Sequence, residues 1–98
     1  MARMTIGEYS DPKDIQGPGG VIKEPSLADQ TVNFTDTAGT SAAFSTATRL
    51  IRVSTDSKCA FKIAANPTAV VTDKEMPAGH VEYFCVTAGH KISMIAVS

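Results

Sequence analysis

The chain has 98 residues and a formal net charge of −1, nine Lys and Arg against ten Asp and Glu. That length suits one domain near the lower end of what folds around a single core. The basic residues are scattered singly, so no stripe exists to displace counterions from phosphates, and nucleic acid is excluded as the expected partner. No apolar run approaches the length of a membrane span, and the opening Met-Ala-Arg-Met-Thr-Ile-Gly-Glu lacks the apolar stretch of a secretion signal. The expectation is therefore folding in a cytoplasm, with no membrane partner. The apolar fraction is 43%, but it is rich in Ala and contains no Trp, and much of the remainder is Thr, Ser, Gly and Pro. Such a mixture favours strands and turns over helices.

From Met1 to Asp29 neither a period of 2 nor one of 3.6 is sustained. Ser10-Asp11-Pro12, Gly17-Pro18-Gly19-Gly20 and Glu24-Pro25-Ser26 interrupt it, because Pro removes donors and Gly removes stiffness. Residues 1–29 therefore read as an extended N-terminal arm, and residues 30–98 as a β domain. Ile6, Tyr9, Ile15, Val21, Ile22 and Leu27 are apolar residues of the arm without an evident home in the domain, which makes them the candidate partner-binding anchors.

Beyond Gln30 alternation takes over. Val32 and Phe34 share a face. Gly39 and Thr40 read as a turn within the small-residue stretch 36–46, where Phe44 is the single large anchor. In 48–55, Ile51 and Val53 oppose Leu50 and Arg52. After the turn Asp56-Ser57-Lys58, the residues Cys59, Phe61 and Ile63 alternate with Ala60, Lys62 and Ala64. Asn66-Pro67-Thr68 turns, and the β-branched 69–72 reads as an edge strand. Pro77-Ala78-Gly79 leads into 80–86, where Val81, Tyr83 and Cys85 oppose His80, Glu82 and Phe84. Thr87-Ala88-Gly89-His90 closes a hairpin onto 91–97, with Ile92, Met94 and Ala96 on one face. Short connections between such segments suit antiparallel hairpins. The expected fold is all-β, a small antiparallel β-sandwich or barrel of six to seven strands. Lacking the buried Trp, it is not an immunoglobulin domain.

The chemistry-bearing residues do not assemble into a catalytic pattern. Neither Gly-x-Ser-x-Gly nor a convergent carboxylate pair is present, and each of His80 and His90 lies five residues from Cys85, on the opposite face of an extended strand. His80 and Glu82 share a face, yet two ligands do not make a zinc site. Gly17-Pro18-Gly19-Gly20 lacks the Lys and the following Ser or Thr of a phosphate loop. Cys59 and Cys85 both sit in apolar alternation and read as buried thiols. A bridge between them requires Cα atoms within about 7 Å, which stays open here, although a reducing compartment opposes it. The expectation is a protein that is not an enzyme and uses no cofactor and no metal.

The stretch from Arg49 to Val97 resembles small virion structural proteins of tailed bacteriophages. The residues concerned are Arg52-Val53-Ser54-Thr55-Asp56, Cys59-Ala60-Phe61, Asn66-Pro67-Thr68-Ala69, Met76-Pro77-Ala78-Gly79, Glu82-Tyr83-Phe84-Cys85-Val86, Gly89-His90-Lys91-Ile92 and Met94-Ile95-Ala96-Val97. They are strand and turn residues, and about half the chain carries the likeness. It implies a β-sandwich carried on or within a phage particle, located in the virion and assembled in the bacterial host cytoplasm. The leading expectation is a capsid decoration or cement protein. It would bind neighbouring major capsid subunits, or other virion proteins, through its β domain and arm, as a homo-oligomer such as a trimer. A neck or tail accessory protein, and a module binding host glycans or receptors, are the alternatives. For the last of these, Tyr83 and Phe84 are the candidate aromatics, but they point in opposite directions.

Overall fold

The computed structural model describes residues 2–10 and 26–97. Eight strands form: β1 (Ala2–Tyr9), β2 (Ala28–Phe34), β3 (Gly39–Thr40), β4 (Leu50–Thr55), β5 (Cys59–Ala64), β6 (Lys74–Met76), β7 (Val81–Cys85) and β8 (Lys91–Ala96). They build two antiparallel four-stranded sheets, ordered β2-β1-β4-β7 and β3-β8-β5-β6. The fold is an all-β sandwich, as the alternation anticipated.

The pairings follow a simple rule. Counting β2 as first and β1 as last, β2·β1, β3·β8, β4·β7 and β5·β6 are the rungs of one long antiparallel ribbon. The remaining contacts, β1·β4 and β5·β8, arise when that ribbon is rolled into two layers. This is the strand order of a jelly roll, with the roll's last strand supplied by the beginning of the chain. Accordingly Ala2 lies opposite Phe34, while the Ala96 N–H donates to the Thr35 carbonyl at 2.8 Å, so β1 and β8 end beside adjacent residues.

The arm reading fails for residues 2–9. They form β1, an interior strand paired on both sides, with Met4 and Ile6 fully buried between the sheets. Ile6 is thus a core residue and not an anchor for a partner. Tyr9 is likewise buried, 4% exposed, on the outer face of its sheet with Leu50, its neighbour across the β1–β4 ladder. Leu50, on the face opposed to Ile51 and Val53, is thus buried within the described chain, while Arg52 and Ser54 on the same face stay partly exposed. Leu27 stays 49% exposed. Its N–H closes the end of the β1–β2 ladder on the Glu8 carbonyl at 2.6 Å. Ile15, Val21 and Ile22 lie outside the described residues, as does Gly17-Pro18-Gly19-Gly20. The domain boundary at 29/30 falls inside β2, which pairs with β1 from Ala28.

The inner faces meet in one core of Met4, Ile6, Phe34, Phe44, Ile51, Val53, Cys59, Phe61, Met76, Ile92 and Met94. Phe44 is the anchor that sequence assigned to its stretch. Gly39-Thr40 is not a turn but the short strand β3, opposite Met94 and Ser93. Glycine is required there because an added Cβ would stand 2.7 Å from the Asn33 carbonyl oxygen. Residues 69–72 form no strand; that segment belongs to a loop whose Ala69 N–H donates to the buried Ser93 hydroxyl at 2.9 Å. β-branching favoured a strand locally, but the edge position beside β5 is occupied by Lys74–Met76 instead.

Candidate functional site

A jelly roll has two open flanks, and one of them is shaped here by consecutive residues. β6 is the edge of the second sheet and β7 the edge of the first. The turn between them crosses from layer to layer. Gly79 supplies its φ of +77°, a left-handed conformation that residues with a Cβ rarely adopt. The Gly79 N–H donates to the Thr55 carbonyl at 2.8 Å and the His80 N–H to the Pro77 carbonyl at 3.2 Å, which fixes the turn against β4.

Between the two edges lies an open groove of about 360 Å³, lined by Phe61, Lys74, Glu75, Met76, His80, Glu82 and Phe84. It runs on into a second depression of about 320 Å³ that shares Phe61, Lys74 and Phe84 and adds Lys62, Ile63 and Asp73. The rings of Phe61 and Phe84 meet at a centroid distance of 5.3 Å and a tilt of 46°, forming the floor. This is an ordinary geometry for a stabilising aromatic pair. Charged groups of both signs stand on the rim. His80 Nε2 contacts Glu82 Oε2, and Lys58 Nζ pairs with Glu75 Oε1 at 3.5 Å. All four of these side chains are about half exposed to water, where an ion pair contributes little.

Sequence placed His80 and Glu82 on one face, and the structure brings them into contact there. Cys85 and Tyr83 face the other way, out from the first sheet, and Tyr83 is 50% exposed. The expectation of two buried thiols holds for Cys59 alone. Cys85 is exposed, and both cysteines are free. Burial raises the Cys59 thiol pKa, partly offset by a hydrogen bond with Thr55. Among the described residues, no three His, Cys, Asp or Glu side chains come together as metal ligands. None of the residues lining the groove is a Ser, Thr or Cys. What the groove offers is an aromatic floor with a mixed-charge rim, suited to holding an extended or ring-shaped group.

Comparison with protein families, curated proteins and solved structures finds no match.

A second polar cluster is structural. The Glu8 carboxylate is 2% exposed at the end of the core. Its Oε1 accepts from the Ser45 N–H at 2.8 Å and the Thr48 hydroxyl at 2.7 Å, and its Oε2 accepts from Gln30 Nε2 at 2.9 Å. Gln30 also exchanges hydrogen bonds with Ala42 through both ends of its amide. Burial pushes the Glu8 pKa up, but the hydrogen bonds from Gln30, Ser45 and Thr48 together outweigh it and leave the carboxyl below its ordinary value. The cluster holds the connection between β3 and β4 against β1 and β2. At the other end of β1, the Arg3 N–H donates to Asp56 Oδ1 at 2.7 Å. That hydrogen bond is the main cause of the lowered Asp56 pKa.

Among the described residues, the large apolar side chains left in water are Leu27, Val70, Val71, Val81 and Tyr83. Of these, sequence reasoning selected Leu27 as an arm anchor and Tyr83 as a candidate aromatic for the glycan alternative. Val70-Val71 was assigned to a strand, and its exposure follows from the loop that crosses the second sheet. Phe61 was also missed as a site residue, because it meets Phe84 only through packing of opposite sheets.

Proposed function

We propose that this protein is a non-enzymatic structural component of a bacteriophage particle, a capsid decoration or cement protein that binds neighbouring major capsid subunits. The observation that carries the reading is a pair of exposed apolar surfaces outside a closed core, Val70-Val71 in the β5–β6 loop and Val81 with Tyr83 on the outer face of β7. Exposed apolar surface of this kind suits contact with other proteins. The jelly-roll strand order agrees with it, since viral capsid domains use that architecture. The resemblance of residues 49–97 to phage virion proteins points the same way. Fold alone does not assign function, so the proposal rests on the surface and is tested there.

The test mixes purified full-length protein with phage particles that lack it. Saturable co-sedimentation and a raised temperature of particle disruption are expected. Val70→Asp with Val71→Asp should reduce occupancy at least about tenfold, equivalent to about 1.4 kcal/mol, without changing the circular dichroism of the free protein. No co-sedimentation with the particles overturns the proposal. The β1–β2 connection can be tested separately. Because Glu8 lies opposite Ala28, a short turn can replace residues 11–25 while keeping both strands, whereas removing residues 1–29 would take away an interior strand. Binding to neck or tail proteins in place of the shell would relocate the protein on the particle.

The groove supports a second reading, a glycan- or receptor-binding module on the particle surface. Lectin domains also use jelly rolls, and an aromatic floor with a polar rim suits a sugar ring. Saturable glycan binding by the isolated protein, abolished by Phe84→Ala or His80→Ala, would favour it.

A further inference from the structure

We propose that two copies of this chain pair antiparallel along the free edge of β7, about a two-fold axis at Tyr83, and so join their first sheets into one continuous sheet. The inference goes beyond the particle reading and does not rest on it. Association of the isolated protein reads the one, and particle binding reads the other.

The hydrogen-bond phase of β7 comes first. Val86 N–H donates to the Arg49 carbonyl at 2.9 Å and Thr55 N–H to the His80 carbonyl at 3.3 Å, with Cys85 opposite Leu50 in the register. In an antiparallel ladder alternate residues turn their backbone groups toward the partner strand. The backbone groups of Glu82 and Phe84 therefore face β4, and Val81, Tyr83 and Cys85 direct their N–H and C=O groups toward the edge that no described strand occupies.

The other edges are less suitable. β3 is two residues long, and β6 is three, with Lys74 and Glu75 exposed. β2 carries exposed Asp29, Thr31 and Asn33 on its outer face. Short length and outward polar groups are the usual protection of sheet edges. β7 has neither Lys nor Pro, and shows water Val81 at 39% and Tyr83 at 50% exposure, followed by exposed Cys85.

β7 is also complementary to itself. With Tyr83 on the axis, Val81 of one copy lies opposite Cys85 of the second, and Glu82 lies opposite Phe84. Like charges never meet. The backbone groups of Val81, Tyr83 and Cys85 are then all in hydrogen-bonded positions. The second strand would pass along the mouth of the groove and cover Phe84. The nearby rim carries Lys62 and Lys74 with Asp73, Glu75 and Glu82, signs mixed enough not to repel a copy of itself. One short strand pair lies below the 1,200–2,000 Å² or so of a stable interface, so the association is weak in dilute solution and is strengthened wherever copies are arrayed.

The test uses the full-length chain. Sedimentation velocity should show the mass rising from one chain toward two as concentration goes from about 10 μM to about 1 mM, the span over which a weak dimer forms. Register is read by oxidative crosslinking in a Cys85→Ser background. A residue on the axis faces its own copy, so Tyr83→Cys should crosslink at least about tenfold faster than Val81→Cys. The latter's Cα lies about 13 Å from that of its copy, beyond the roughly 7 Å a disulfide spans. If either substitution disturbs the fold, amide exchange of the wild-type chain decides. The Val81, Tyr83 and Cys85 amides must then slow with concentration. A monomer at every concentration, equal crosslinking at the two positions, or concentration-independent exchange overturns the proposal.

Discussion

Replacing Glu8 by Gln changes one oxygen to an amide and should destabilise this sandwich far more than the size of the change suggests. Glu8 Oε1 must accept from both Ser45 and Thr48, so the new side chain keeps its oxygen there. Its amide nitrogen then faces Gln30 Nε2, donor against donor. Gln30 cannot resolve the conflict by turning over, because its oxygen accepts from the Ala42 N–H and its nitrogen donates to the Ala42 carbonyl. Losing the charge from the Ser45 and Thr48 bonds and leaving a buried donor unpaired together cost about 3 kcal/mol. For a domain of this size that lowers Tm by roughly 10–20 °C. The effect should depend on pH. Because the folded-state pKa lies below the ordinary value, the stabilisation is present above the unfolded pKa, about 4.5, and is lost as pH falls through the folded value. Protonated Glu8 also places a donor among donors, so wild type and variant should converge in acid. Thermal unfolding at pH 7 and pH 3 measures both points. A variant within about 3 °C of wild type at pH 7, or a gap that does not narrow in acid, refutes the reasoning.

Gly39→Ala places a Cβ 2.7 Å from the Asn33 carbonyl oxygen; the backbone must move, and urea unfolding should show a loss of about 2–3 kcal/mol. A native-state thiol reagent should label exposed Cys85 promptly and buried Cys59 only at the rate of opening, so a second thiol reacting as fast as the first would contradict the assigned faces. Deleting residues 2–9 should abolish the cooperative unfolding transition, because it removes a strand paired on both sides. Replacing residues 11–25 with a short turn should leave that transition in place.

The fold class was legible because β4, β5, β7 and β8 alternate cleanly and are separated by Gly, Pro and Asp turns. β1 alternates too, with Met4, Ile6 and Glu8 inward and Arg3, Thr5 and Gly7 outward. A carboxylate at the third inward position hides that pattern. It is tolerated inside only because Gln30, Ser45 and Thr48 converge on it, and residues so distant in sequence give no local sign of doing so. β3 was illegible for a related reason: Gly39 disfavours a strand, two residues are too few to show alternation, and they are extended because β8 pairs with them. The groove was half legible. Alternation put His80, Glu82 and Phe84 on one face, but the floor needs Phe61 from the opposite sheet, and only packing supplies that neighbour.

The interior position of β1 has a kinetic consequence. β1 is synthesised before both of the strands it pairs with, β2 and β4, and its pairing with β4 joins Met4 to Thr55. β3 must likewise wait for β8, where Gly39 meets Met94. Loop closures of that length slow folding, since their entropy is lost before distant pairings compensate it. The nascent chain on a ribosome therefore carries the apolar Met4-Ile6 face uncovered until β4 and the strands of the opposite sheet have emerged, and the sandwich closes only once β8 is out.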